Sequence, residues 1–385
     1  MLLRLAVTAL IIVVSAQLIP TGVVAAAARR PNFVFIFADD MRKDDMVALP
    51  SISNRIATRG TYMENFFVNT PVCCPSRATL FSGRYPHNNV APTTAPARGG
   101  GTTNAGSACC MHMNLLYGNV TSATAEPNGN CSNPAFWQHT WPLYLQKSGY
   151  NTGIFGKAYH MGSDAPCGFA GNGYGPAKPP GTLPGARPPP WTGVNWGNPK
   201  VATNSTPLFM LPGWDRHFVY CYPLDQYFWN RWNDQGSLVG TTDRPQDYAT
   251  ALIGNKTVAW LREDAIPEAQ KAGGKPFFAY VPVHPPHGRT TPAPWYNESW
   301  PAEWGIPRTN SATRKPNYGY RAADHHWLIA HEPPISNSSA AATQATYVQR
   351  MQMLLSVDDI IEEVSELLHA TGCLENTFLL FCADQ

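Results

Sequence analysis

At 385 residues and 44% hydrophobic content, the chain is long enough for one large α/β domain or two ordinary ones, with ample material for a core. Lys and Arg number 28 against 26 Asp and Glu, a formal net charge of +2, so the basic excess of a nucleic-acid binder is absent. Charged residues make up only 14%, which argues against wholesale disorder.

In chain order, Arg4, the apolar run Leu5 to Val14 and the small residues Ala25 to Ala28 have the pattern of a secretory signal peptide over residues 1–28. An uncleaved membrane anchor is the competing reading, but the apolar run is short for a span and Gln17 and Pro20 interrupt it. Residues 29–385 then read as one domain. "NFVFIFADD" is a continuous apolar run ending in Asp39 and Asp40, as expected of a strand buried on both faces of a parallel sheet. "NTGIFGK" from Asn151, "KPFFAYVPVH" from Lys275 and "NTFLLFCADQ" from Asn376 read the same way. Between them the pattern predicts helices over Ser51 to Thr58, Pro75 to Ser82, Trp141 to Ser148, Tyr248 to Arg262 and Thr346 to Ala370. Strands alternating with helices imply a doubly wound α/β sheet. The Pro- and Gly-rich stretches Ala165 to Trp214 and Pro282 to Pro307 are expected as long loops over its carboxyl edge, where open α/β folds bind ligands.

Five Asn-X-Ser/Thr sequons, at Asn119, Asn204, Asn255, Asn297 and Asn337, are glycan acceptors wherever their loops are exposed. With the signal peptide they point to the secretory pathway and an extracellular or lysosomal glycoprotein, a setting in which disulfides persist. The cysteines number nine, so at least one is unpaired, pairs between chains or is modified.

"PVCCPSRATLFSGR", Pro71 to Arg84, poses the sharpest question. Pro75 suits the first turn of a helix and Gly83 its end, which places Cys73 and Cys74 just before a helix N-terminus. Free backbone N–H groups and the helix dipole there bind anions and lower a thiol pKa, and Arg77 adds a charge of bidentate geometry. A disulfide to Cys109, Cys110 or Cys131 and a reactive nucleophile both fit the residues. Zinc fits less well, because the paired Cys-X-X-Cys spacing is missing.

The wider string Cys-X-Pro-Ser-Arg followed by "ATLFSGR" resembles the signature of the sulfatase family. "CCPSR" with "GRYPHN" is especially similar to its N-acetylglucosamine-6-sulfatase and extracellular heparan 6-O-endosulfatase branch. The resemblance implies an alkaline phosphatase/sulfatase type of sheet. It also implies that a formylglycine-generating enzyme oxidises Cys73 to Cα-formylglycine during secretion, with Cys74 a bystander. "PNFVFIFADD" resembles the first half of the family's metal site, so Asp39 and Asp40 are expected to bind Ca2+, or Mg2+, as hard oxygen ligands, leaving Asp44 and Asp45 as solvated neighbours. "LENTFLLFCADQ" resembles the second half and carries over Asp384 as a ligand, with Gln385 in place of the usual residue and Cys73 completing the set. "GKAYHMG" resembles the family's Gly-Lys element, which assigns Lys157 to a sulfate oxygen and His160 as a helper. "PPH" makes His287 the expected proton donor and His284 the second choice.

The implied reaction is hydrolysis of a sulfate ester, on an aryl sulfate or on the 6-O-sulfate of N-acetylglucosamine in a glycosaminoglycan. A hydroxyl of the hydrated aldehyde attacks sulfur, and the second hydroxyl then expels sulfate. Family members are expected to continue beyond the second metal element into a smaller C-terminal subdomain, whereas this sequence stops at Gln385. Two other readings stay open: a non-catalytic, sulfatase-like glycoprotein that binds sulfated glycans, and a phosphate-ester or phosphonate hydrolase of the same superfamily.

Overall fold

The computed structural model describes residues 29–68, 70–85, 140–158, 210–223, 227–309, 312, 318–319 and 325–385. The proposed signal segment, His160, the sequons at Asn119 and Asn204, and Cys109, Cys110 and Cys131 lie outside these residues. So does most of the loop expected over Ala165 to Trp214.

Among the described residues, seven strands form one sheet in the order β5-β4-β3-β2-β6-β1-β7. The four apolar runs of the sequence are its parallel half: β1 (Asn32–Ala38), β2 (Asn151–Gly156), β6 (Phe277–Pro282) and β7 (Thr377–Ala383). Every residue of β2 and β6 is buried, as expected of strands covered on both faces. β7 departs from that expectation. It is the outermost strand on its side, with Phe378 55% and Leu380 41% exposed, because its neighbours cover only one face.

The sheet is larger than the sequence suggests. β3 (Arg216–Pro223) adds in parallel to β2, and β4 (Asn230–Asp234) and β5 (Ser237–Gly240) then meander antiparallel. Their segments are short and mix Arg, Asn and Asp with aromatic residues, so no long apolar run announces them. Trp232 stacks on Phe218 at 4.3 Å and on Tyr220 at 4.0 Å, a cross-strand aromatic set that fixes the pairing.

Helices cover both faces. On one, α1 (Cys73–Ser82) and α2 (Trp141–Lys147) bury an aromatic layer in which Phe81 stacks on Trp141 at 5.5 Å and meets Tyr280 edge-on. On the other, α3 (Ala249–Trp260) and α4 (Asn337–Ala370) pack Ile253, Trp260, Leu354 and Ile361 against Val34 and Ile36. α4 starts nine residues before the expected Thr346. Ser336 caps it by accepting from the Ser339 N–H at 3.1 Å, and the added first turns are Ala-, Ser- and Thr-rich and carry no apolar stripe. The short helical turn Ile52–Ala57 replaces the Ser51 to Thr58 helix and is held to α4 by Asp358, which accepts from the Ser51 N–H and hydroxyl, both at 2.9 Å. Among the described residues, no helix is long and apolar enough to cross a membrane.

Candidate active site

Adjacent parallel strands carry their C-terminal residues to one edge, and the order β2-β6-β1-β7 lines up Lys157, His284, Asp39 and Asp384 there. Backbone bonds continue the ladder past the strand ends: Lys157 N–H donates to Pro282, Val283 N–H to Phe37, and Asp384 N–H to Ala38. Gly156 makes the first of these possible. Its φ is +128°, and a Cβ there would lie 2.1 Å from the Pro282 carbonyl oxygen, so only glycine lets the chain turn Lys157 inward.

α1 brings the next two residues. It begins at Cys73, with the extended Val72 as its cap, so Cys73 and Cys74 are its first residues rather than its predecessors. Gly83 closes the helix in the left-handed conformation at φ +66°, its N–H donating to Thr79. Arg77, one turn in, is fully buried. Its Nε donates to Asp384 Oδ2 at 2.9 Å and its Nη1 to the Lys157 carbonyl at 2.6 Å, while Nη2 lies 3.6 Å from Asp39 Oδ1. The guanidinium that the motif aims at an anion is here engaged with the site's own carboxylates.

Asp39 is fully buried at the centre. Its Oδ2 accepts from the Lys157 ammonium and faces His284 Nδ1 at 3.0 Å, while its Oδ1 has no hydrogen-bond partner. Burial pushes this carboxyl up, but Lys157 and then Arg77 override it and hold it well below the usual carboxylate range. Asp384 is also buried; its Oδ1 accepts from the Asp40 N–H at 3.1 Å, and burial against the neighbouring Asp39 raises it to about 6 despite Arg77. Asp40 completes a cluster in which three carboxylates each offer an oxygen, all within 4.8 Å of one another. Gln385 turns its amide nitrogen, not its carbonyl, toward Asp40 Oδ1.

The two histidines are both in place. His284 and His287 stack at 4.6 Å, His284 fully buried and His287 partly exposed with Nε2 3.7 Å from Asp40 Oδ2. The sequence ranks His287 first, yet His284 is the one in direct contact with Asp39. Burial lowers His284 to about 3 and lowers His287 as well, the nearby Lys157 acting in the same direction. Both rings are therefore neutral near pH 7 in this arrangement, and the expected proton donation needs an added anion beside them.

Two further expectations are corrected. The Cys73 thiol is free, but burial raises its pKa more than Lys157 and Arg77 lower it, with Asp39 and Asp384 also opposing ionisation. The helix N-terminus does not make it a thiolate, because four charges of opposing sign share the same space. Asp45 is not solvated either: it is 1% exposed and accepts from the Arg42 guanidinium at 2.6 Å, while Asp44 is exposed as expected. Sequence reading also passed over Tyr227, whose hydroxyl donates to the His287 carbonyl at 3.0 Å, and Arg350, whose guanidinium contacts the Asp40 and Pro286 carbonyls. Arg350 falls three residues after Tyr347 and four before Leu354, both buried, and a charge on the buried stripe of a helix is the signal that marks it.

With this geometry in hand, comparison with known proteins is direct. The Sulfatase family model matches residues 31–385. The chain belongs to the sulfatase family. It is 27% identical over 375 residues to the N-acetylglucosamine-6-sulfatase of Homo sapiens, covering 94% of this chain and 52% of that protein. It is 26% identical to the arylsulfatase of Volvox carteri, covering 94% and 47%, and 25% identical to the extracellular sulfatase SULF-1 homolog of Drosophila melanogaster, covering 94% and 25%. The chain spans about half the length of the N-acetylglucosamine-6-sulfatase and arylsulfatase relatives it matches. In fold it resembles yidJ of Bacteroides fragilis, at TM-score 0.55 and 18% identity over 92% of this chain and 62% of that one. It also resembles BT4656, solved with its substrate D-glucosamine-2-N,6-O-disulfate, at TM-score 0.50 and 17% identity over 92% and 65%. The sulfatase fold is thus the mostly parallel, doubly wound sheet expected.

Proposed function

We propose that residues 29–385 form a catalytic sulfatase domain that hydrolyses sulfate esters, with aryl sulfates or the 6-O-sulfate of N-acetylglucosamine in glycosaminoglycans as substrates. The observation that carries this reading is Cys73 itself. It opens α1 inside the sulfatase signature, shares its surroundings with Lys157, Arg77, Asp39 and Asp384, and yet its thiol is held protonated. A protonated thiol is a poor nucleophile, so the site calls for a different group at that position. Converted to formylglycine by the generating enzyme of the secretory pathway, Cys73 would supply a hydrated aldehyde: one hydroxyl to attack sulfur and a second to release sulfate.

The donor set suits a hard divalent cation, Ca2+ or Mg2+. Asp39, Asp40 and Asp384 bring three carboxylates against two fixed positive charges, Arg77 and Lys157, and the unpartnered Asp39 Oδ1 is a buried acceptor left over. The cation would be held by these three, with the Gln385 carbonyl after its amide turns over and the oxidised Cys73, and would polarise sulfate oxygens. Lys157 neutralises one sulfate oxygen. The His pair faces the same carboxylates, and an anionic sulfate ester raises the pKa of His287 toward the range in which it protonates the departing alcohol. Tyr227 holds His287 by its backbone carbonyl. His160 is assigned a helping role on the motif alone.

A relative named N-acetylglucosamine-6-sulfatase supports N-acetylglucosamine 6-sulfate as substrate, and one named extracellular sulfatase supports the secretory pathway, to an extracellular or lysosomal location, that the signal segment and sequons suggest. Asn255, Asn297 and Asn337 are exposed and open to N-glycans.

The deciding experiment is peptide mass spectrometry across Cys73 of the secreted protein, paired with turnover of an aryl sulfate. A mass about 18 lower at Cys73, the thiol-to-aldehyde change, and turnover lost on adding a calcium chelator are expected. An unmodified thiol or a disulfide at Cys73 with no turnover in either condition would leave a glycan-binding, non-catalytic protein. Lys157→Ala should lower kcat by about 10²–10³-fold, the usual loss for one preorganised electrostatic donor. Unchanged kcat would remove Lys157 from the reaction.

A further inference from the structure

We propose that Arg350, on α4, is a positioning residue that holds the Asp40 loop and the His287 loop at a set separation. This rests on the reading of Asp40 and His287 as site residues. Asp40 is one of four non-glycine residues with positive φ among the described residues, at +62°, a conformation that side chains rarely adopt and that its surroundings must impose. Two groups impose it. Asp384 Oδ1 takes the Asp40 N–H at 3.1 Å, and Arg350 Nη2 donates to the Asp40 carbonyl.

The same guanidinium reaches the neighbouring loop, where Nη1 donates to the Pro286 carbonyl at 2.8 Å, one residue before His287. A planar fork with two terminal nitrogens on two carbonyls from different strand ends fixes both distance and plane, which a point charge does less well. Asp45 Oδ2, 4.0 Å from Arg350 Nη2 and itself held by Arg42, supplies a counter-charge. Asp40 Oδ2 and His287 Nε2, on residues at and next to the clamped carbonyls, face each other at 3.7 Å. Their separation is therefore set by a residue that touches neither side chain.

The test compares wild type with Arg350→Met, which keeps length and removes both donors, and Arg350→Lys, which keeps charge without the fork. Arg55→Met serves as control, because Arg55 joins the Ile52–Ala57 turn to the same helix through Glu362 and Glu366 but lies outside the site. Hydrogen exchange of metal-free protein is expected to quicken in Arg350→Met over both residues 39–45 and 283–289, and in neither segment for Arg55→Met. Titration with Ca2+ alone is expected to show about 10–100-fold weaker binding for Arg350→Met, a smaller loss for Arg350→Lys and none for Arg55→Met. Wild-type exchange in either segment, in a protein folded by circular dichroism, overturns the proposal. If Arg350→Met does not fold, Arg350→Lys carries the comparison. If the wild type binds no Ca2+, the cation reading fails separately and the exchange result alone decides for or against Arg350.

Discussion

Cys73→Ala should lower kcat on an aryl sulfate by about 10⁴-fold or more while the protein stays folded. The size follows from the role proposed for it: removing the nucleophile of a covalent mechanism would eliminate the step, leaving only binding and electrostatic stabilisation. The fold should tolerate the change because the Cys73 side chain is only partly buried, forms no disulfide and sits at the first position of α1, where alanine is a good helix former. Activity and thermal unfolding are measured together. Retention of more than a tenth of wild-type kcat by a folded variant would exclude a nucleophile at this position.

Arg77→Ala should be the most damaging single change to stability, about 3–5 kcal/mol by urea unfolding, because it leaves buried carboxylates without their partner. Arg77 supports Asp384 through two nitrogens, lies close to Asp39, donates to the Lys157 carbonyl and packs over the Phe37 ring at 5.1 Å. The loss should depend on pH in a direction that the titration fixes. Asp384 already sits at about 6, raised by burial and lowered by Arg77, so without Arg77 its folded value climbs further above the ordinary carboxylate value of about 3.9. A group raised in the folded state binds more protons there than in the unfolded chain. Its favourable contribution is complete below the unfolded value and is lost as pH rises through the folded one. In chelator-treated protein, the Arg77→Ala deficit should therefore shrink from pH 7.5 to pH 5. A deficit that is constant or grows on acidification would mean that Asp384 is not the carboxylate left unpaired.

Much of the site was legible because its residues sit at the ends of apolar runs. A run such as "NFVFIFADD" becomes a buried parallel strand, and the polar residues that end it must emerge at the sheet's carboxyl edge, so Asp39, Lys157 and Asp384 were locatable one strand at a time. α1 was readable from Pro75 and Gly83 for the same local reason. β3, β4 and β5 were not, since their short polar-aromatic segments acquire strand character only by pairing with β2 and one another.

The sequence by itself determined the sheet's parallel core, because apolar runs and the polar residues that end them are local, and its resemblance to the sulfatase signature singled out Cys73 and the carboxylates. Only the tertiary structure decided how their charges balance. The protonated Cys73 thiol, the low His284, the raised Asp384, the burial of Asp45 and the reach of Arg350 from a helix 310 residues beyond Asp40 all come from groups distant in the chain. Desolvation and charge pairing act through space, and residue order does not encode that distance.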